Sequence, residues 1–301
     1  MLTGKHIAVL GGDARQIEVI EKLITLDARL SLVGFDQLER NFSGTIKVDM
    51  DEIRPETVDA LILPASGTDK TGRIETTFSS DTVRITEEWL KNTPEHCRIY
   101  SGIATEYLER LSGLTHRDIV RLYERDDVAI YNSIPTVEGT ILLAIQNTDI
   151  TIHRAHLIVL GLGRTGMSIA RAFHTLGARV KVGDRSPDHL ARAVEMGVDA
   201  FYLKNLAEEV QDNDICINTI PALVLTSSVL SRMPAGSLII DVASRPGGTD
   251  FRFAKKRGIK AMLTPGLPGM VAPKTAGRII ANVLAELLIE QFSREGHSHD
   301  A

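Results

Sequence analysis

The stretch Leu157 to Ser186, LIVLGLGRTGMSIARAFHTLGARVKVGDRS, decides how the chain is read. Leu157 to Leu160 is an unbroken apolar run, the pattern of a strand buried on both faces of a parallel sheet. Gly161, Gly163 and Gly166 follow with G-x-G-x-x-G spacing, and a helix-like apolar period then runs from Met167 to Leu176 and stops at Gly177. The first glycine permits a tight turn from strand to helix, the second lets a pyrophosphate approach the backbone, and the third lets the helix pack on the strand. The helix start offers unpaired N–H groups and the positive end of its dipole to the phosphates. A second strand from Arg179 ends in Asp184, where a carboxylate can accept hydrogen bonds from the adenine ribose. Strand, turn, helix, strand and acid in this order predict a dinucleotide site built from Gly161, Gly163, Arg164, Thr165, Gly166, Asp184, Arg185 and Ser186. Asp184 favours NAD, whereas Arg185 and Ser186 suit the 2′-phosphate of NADP, so both cofactors stay open.

Towards the C-terminus, strands are expected at 200–202, 214–218, 238–242 and 260–263. In a doubly wound domain the strand ends Thr219-Ile220-Pro221 and Ala243 to Gly248 face the nicotinamide half of the cofactor. Arg245 is then either a cation for a substrate carboxylate or a surface arginine in a glycine-rich turn. Pro265-Gly266 opens a rigid turn beside the substrate, and Lys274 begins a long apolar helix, 274–293, that returns to the first domain. Residues 294–301, with His297 and His299, read as a disordered tail, and no metal site is expected.

Towards the N-terminus, strands are expected at His6–Leu10, Arg29–Phe35, Ala60–Pro64, Cys97–Ser101 and Val128–Tyr131, with helices between most of them. Such alternation predicts a second parallel α/β domain over residues 1–134. Its first turn, Gly11-Gly12-Asp13-Ala14-Arg15-Gln16, lacks the third glycine. It is either a structural turn capped by Asp13 or a carboxylate site made by Arg15 or by the Gly11–Gly12 amides. The loops at Ser66-Gly67-Thr68, Ser101-Gly102 and Asn132 to Thr136, including Pro135, carry small polar groups suited to a small polar substrate. Asp69 to Asp81 reads as a surface loop that could serve as a lid. A helix over 135–150 is expected to bridge to the Rossmann domain, 151–273. In its first turn Glu138 is either a dipole-stabilised charge or a catalytic group.

Composition narrows the class. The 301 residues carry 34 Lys and Arg against 39 Asp and Glu, a net charge of −5 without a basic block, which argues against nucleic acid as a partner. Cys97 and Cys216 lie far apart and read as buried apolar residues rather than a disulfide or metal pair. No apolar run approaches the roughly 18 residues of a membrane span, so a cytoplasmic protein is expected.

Five motifs in order, GGDARQ, NSIPTVEGTI, GLGRTG, IDVASRPGGTDF and TPGLPGMVAPKTAGRI, resemble the A subunits of dipicolinate synthases over essentially the whole chain. The resemblance implies NAD(P)-dependent oxidation of dihydrodipicolinate to dipicolinic acid during endospore formation, in the mother-cell cytoplasm, with a smaller flavoprotein-like B subunit. A homo-oligomer is compatible with it. It also implies a flavodoxin-like substrate domain followed by a Rossmann domain, a layout similar to alanine and D-2-hydroxyacid dehydrogenases. The dicarboxylate substrate would call on Arg245, Arg15 and Lys274, and the base would be Glu138 or a bound water. Hydroxyacid chemistry is disfavoured, because Thr264-Pro265-Gly266 stands where that family has a Pro-His pair and Asp250 to Phe253 offers no matching glutamate. A different dehydrogenase of this layout, or a nucleotide-binding subunit without chemistry of its own, remains the alternative.

Overall fold

A computed structural model describes residues 1–298. The chain divides into two compact units, residues 1–128 together with the C-terminal segment from Ala272, and residues 129–271.

The first unit is built on β1 (His6–Leu10), β2 (Arg29–Val33), β3 (Thr45–Lys47), β4 (Ala60–Ile62), a small antiparallel pair β5 (Arg73–Ile74) and β6 (Val83–Arg84), β7 (Arg98–Ser101) and β8 (Ile119–Arg121). Its parallel sheet has the order β3-β2-β1-β4-β7-β8. Without the short edge strand β3, that is the flavodoxin-like order. Every residue of β1 is buried, with Ile7 and Val9 in one core layer and Ala8 and Leu10 in the other. This two-sided burial is why the strand reads as a continuous apolar run. The C-terminal helix Pro273–Ser298 lies in this unit, packed on the helix Arg15–Thr25. Gly277 permits the contact, since a β-carbon there would come within 2.6 Å of the Arg15 carbonyl oxygen. Arg278 Nε donates to Glu18 Oε2 at 2.8 Å across the same contact, and Tyr100 Oη donates to Gln291 Oε1 at 2.7 Å. Leu284 and Leu288 are fully buried in the core, each contributing about 1.5–3 kcal/mol by leaving water.

The second unit holds β9 (His156–Leu160), β10 (Arg179–Asp184), β11 (Asp199–Tyr202), β12 (Ile215–Asn218), β13 (Leu238–Asp241) and β14 (Lys260–Leu263). They form one parallel sheet in the order β11-β10-β9-β12-β13-β14. The connections from β9 run one way and those from β12 the other, so the switch point lies between these two strands, where ligands of doubly wound sheets bind.

The structure corrects several local expectations. Val128–Tyr131 is not a strand: Asp126–Asn147 is one continuous helix, and the sixth strand of the sheet is β8. The buried positions Val128, Ser133, Val137, Thr140 and Ala144 recur at helical spacing, which a four-residue apolar run cannot reveal by itself. Pro135 sits inside this helix rather than at its start, so Asn132 to Thr136 is not a loop; Thr136 Oγ1 donates to the Asn132 carbonyl at 2.8 Å within it. The helix is long and apolar enough to cross a membrane by length and composition, and 44% of its most apolar window is buried, with Val137 and Ala144 in the core of the second unit. Asp69–Asp81 is anchored, not a lid. Gly12 N–H donates to the Glu75 carbonyl at 2.7 Å, Thr76 Oγ1 to the Gly34 carbonyl at 2.7 Å, and Phe78 stacks on Phe35. Of the expected disordered tail, residues 294–298 continue the C-terminal helix, and 299–301 lie outside the described residues.

Candidate functional site

The glycine turn follows β9 at the switch point, and each glycine has a distinct steric reason. Gly161 has φ +86°, and a β-carbon there would meet Thr219 Oγ1 at 2.6 Å. At Gly166 a β-carbon would fall 1.9 Å from the Gly161 carbonyl oxygen, so only glycine lets the helix Arg164–Thr175 sit this close to the strand. Gly163 differs: it is exposed, its φ is −72°, and nothing lies within 4 Å of where a β-carbon would be. It is also the helix N-cap, and no side chain caps the helix there. Open space in front of an uncapped helix start is what a pyrophosphate requires, so these residues fit a dinucleotide. Thr219, at the end of β12, closes the turn by donating Oγ1–H to the Leu160 carbonyl at 2.9 Å; Ile220 and Pro221 follow it. Arg164 and Thr165 form the first turn of the helix.

At the end of β10, Asp184 is 7% exposed. Its Oδ2 accepts the Leu162 backbone N–H at 2.7 Å and His189 Nδ1–H at 3.0 Å, and its Oδ1 accepts the Ser186 N–H at 2.8 Å. Burial pushes this carboxyl up, but the two amides and His189 outweigh it and hold the group below the usual carboxylate range. Arg185 is exposed beside it.

A second carboxylate organises the other strand end. Asp241, fully buried at the end of β13, accepts Asn218 Nδ2–H at 3.0 Å and the Ala243 N–H at 3.2 Å on Oδ1, and the Gly248 N–H at 2.8 Å and Thr249 Oγ1–H at 2.7 Å on Oδ2. Residues 243–249 therefore wrap around one carboxylate and hold Arg245 outward, exposed and without an ion pair among the described residues. Sequence reading missed Asp241 and His189. Asp241 had a signal, as the only acid in a strand otherwise fully apolar; His189, five residues past Asp184, had none.

In the first unit several expected substrate groups are already engaged. The Gly11 and Gly12 amides donate to the Val33 and Glu75 carbonyls at 2.8 and 2.7 Å, so for these two amides the structural-turn reading holds over the carboxylate one. Ser101 is fully buried and donates to the Ile103 carbonyl at 2.7 Å, so it too is structural, and Gly102 is glycine because Ala65 O would lie 2.4 Å from a β-carbon. Asp13 is not the helix N-cap; it grips Arg15 instead, with Nε–Oδ1 at 2.9 Å and Nη2–Oδ2 at 2.7 Å, while Arg15 Nη1 donates to Tyr123 Oη at 3.3 Å. Beside them Gln16 Nε2 is buried without a partner, lining a small cavity with Arg15, Pro64 and Gly102. Ser66, Gly67 and Thr68 border a separate cavity of about 510 Å³ with Arg73 and Glu75; Thr68 is tied to Thr105 by a 3.0 Å hydroxyl contact.

The remaining candidates are distributed between the units. Lys274, exposed in the first turn of the C-terminal helix, belongs to the first. Glu138 is exposed on the helix Asp126–Asn147 in the second, as are partly exposed Pro265 and exposed Gly266, while Pro135 is buried there. Burial pushes the Cys97 thiol up to about 12 and raises Cys216 as well, so neither is a nucleophile. Among the described residues no group of three or more His, Cys, Asp or Glu could hold a metal.

Comparison with known proteins agrees with this geometry. Residues 6–123 match the family described as the N-terminal domain of the dipicolinate synthase A subunit, and residues 133–299 match the alanine dehydrogenase/PNT C-terminal domain, a nicotinamide-dinucleotide-binding fold. The chain is 58% identical over 296 residues to the dipicolinate synthase A subunit of Bacillus subtilis, covering 98% of this chain and 100% of that one. The crystal structure of the dipicolinate synthase A subunit from Bacillus halodurans superposes with a TM-score of 0.93 at 59% identity, covering 96% of this chain and 99% of that one. Escherichia coli D-lactate dehydrogenase shares the fold alone, with a TM-score of 0.63 at 15% identity over 96% of this chain and 97% of its own. With both halves matched and identity this high from end to end, the chain belongs to the family of dipicolinate synthase A subunits.

Proposed function

We propose that this chain oxidises dihydrodipicolinate to dipicolinic acid, with NADP or NAD as acceptor, in the mother-cell cytoplasm during endospore formation and together with a smaller flavoprotein-like B subunit. The observation that carries the reading is the unobstructed, uncapped helix start at Gly163, in a chain so similar throughout to its Bacillus subtilis relative. Aromatising the dihydropyridine ring removes one hydride and one proton. The bound nicotinamide supplies the hydride acceptor. The chain's own residues must then fix two ring carboxylates and receive the proton.

Arg245 is the leading carboxylate partner, because the loop around Asp241 holds its guanidinium outward and unpaired, ready for a bidentate contact. Arg15 is a weaker one, since Asp13 already neutralises it, although the unpartnered Gln16 amide beside it can add a neutral donor. Lys274 is an exposed point charge and a further candidate for a carboxylate. Glu138 or a water takes the proton. Glu138 makes no ion pair among the described residues, and aromaticity supplies much of the driving force, so positioning carries most of the catalytic burden.

The test is turnover by the purified chain, alone and with the B subunit, using dihydrodipicolinate generated in situ and each nicotinamide cofactor. Reduced nicotinamide formed in step with dipicolinate is the expected result. Binding of the dinucleotide without any turnover, even with the B subunit present, would overturn the reading.

A further inference from the structure

The Asp184 carboxylate is held in a way that bears on cofactor choice. A carboxylate has about four acceptor positions, and three of those on Asp184 are filled by the protein itself, two of them on Oδ2. Leu162, one of these donors, is the residue between the first two glycines of the turn, so the contact also sets the turn. One lone pair on Oδ1 is left for a ribose hydroxyl. An acid that receives both ribose hydroxyls needs two.

The third donor is His189, from the helix Pro187–Glu195 that follows β10. A carboxylate accepts only, so the proton in the 3.0 Å contact belongs to Nδ1 of the imidazole. This hydrogen bond draws negative charge on Oδ2 towards the ring and away from the ribose side. The two partners differ in exposure: the Asp184 side chain is 9% exposed and that of His189 43%, so the histidine can be changed without opening the core. Arg185 and Ser186 stand next in the chain, and the Ser186 amide is itself held by Oδ1, which fixes where both begin.

We propose that His189 sets how far this site tolerates a 2′-phosphate: by occupying Oδ2 of Asp184 it removes the acceptor that would select a 2′-hydroxyl and softens the charge that would repel a phosphate. His189 is thus a positioning residue that acts through Asp184, and discrimination at the ribose is a property of the pair. This rests on the dinucleotide reading of the glycine turn. Losing the histidine leaves Oδ2 with one donor fewer and its charge less compensated, and both changes act in the same direction, favouring NADH and disfavouring NADPH.

The experiment is fluorescence titration of the full chain, in the parent, His189→Ala and His189→Asn forms, with NADH and with NADPH. Asparagine can return an N–H to about the position of Nδ1, so it tests rescue by the hydrogen bond. In His189→Ala the ratio of the NADPH to the NADH dissociation constant is expected to rise about five- to tenfold, with His189→Asn returning most of the way to the parent. A ratio unchanged within twofold in His189→Ala overturns the inference while leaving the dinucleotide site intact. Equal loss of both nucleotides also overturns it, because His189 would then only support the turn. If the parent binds neither nucleotide, the dinucleotide reading itself fails.

Discussion

Asn218 and Asp241 are register partners on β12 and β13, and Asn218 Nδ2 donates to Asp241 Oδ1 at 3.0 Å with both residues fully buried. One amide and one carboxylate at the sheet's C-terminal end therefore tie together the two strand ends that carry Thr219 to Pro221 and Ala243 to Gly248. The Asn218 amide also donates to the Ile220 carbonyl at 3.0 Å, and its Oδ1 accepts the Ile220 N–H at 3.1 Å.

Removing the carboxylate should therefore loosen a whole loop. Asp241→Ala strands the Gly248 amide, the Thr249 hydroxyl and the Asn218 amide in a dry site, at about 1–3 kcal/mol for each donor left unpaired. We expect a loss of about 3–5 kcal/mol in urea unfolding, part being recovered by relaxation, and faster amide exchange confined to residues 243–249. Unchanged exchange in that loop would show that Asp241 does not organise it.

Two glycines of the same turn should respond oppositely. Gly163→Val places a side chain in open space on ordinary backbone, so the melting temperature should stay near the parent value while dinucleotide binding is lost. Gly166→Ala drives a methyl group into the Gly161 carbonyl, and a loss of stability of about 2 kcal/mol or more is expected whether or not nucleotide is present. Calorimetric titration and thermal unfolding of both variants separate the two effects; intact nucleotide binding by folded Gly163→Val would place the site elsewhere.

Arg245→Ala should act on the substrate and not on the cofactor. Its guanidinium has no internal partner to lose, so stability should change by less than about 0.5 kcal/mol. With dihydrodipicolinate as the proposed substrate, its KM should rise by about tenfold or more with the dinucleotide dissociation constant unchanged. A fall in kcat alone would move Arg245 from binding to the chemical step.

Acid should weaken the first unit through His6. Burial, aided by the nearby Arg29 charge, lowers its pKa from the ordinary 6.5, and its ring is held between Ser31 Oγ at 2.8 Å and Thr57 Oγ1 at 3.0 Å. The unfolded chain therefore takes up the proton first as pH falls. This contribution is fully present above about pH 6.5, declines below it, and levels off once pH passes the lowered folded-state value. Urea midpoints measured from pH 8 to pH 5 should show a decline that His6→Gln lessens; parallel curves would assign the acid sensitivity to other groups.

What the sequence determined by itself is what depends on near neighbours along the chain. The strand, the three glycines, the helix and the acid of Leu157 to Ser186 lie within one connected unit, and φ of +86° at Gly161 or a 1.9 Å clash at Gly166 follows from local geometry that only glycine satisfies. Two-sided burial of parallel strands likewise writes itself into the apolar runs of β1 and β9. Tertiary structure alone decided which polar groups remain available. The Gly12 amide meets the carbonyl of Glu75, 63 residues on, Arg15 reaches the hydroxyl of Tyr123, and the Gln16 amide is left unpartnered where the chain folds around it. Hydrogen-bond saturation depends on those distant partners, so no local pattern reports it. For the same reason a four-residue apolar run at Val128 could not announce a helix of 22 residues: the contacts that select its conformation lie at Val137 and Ala144, one helical repeat after another, in a core that forms only when the sheet is assembled.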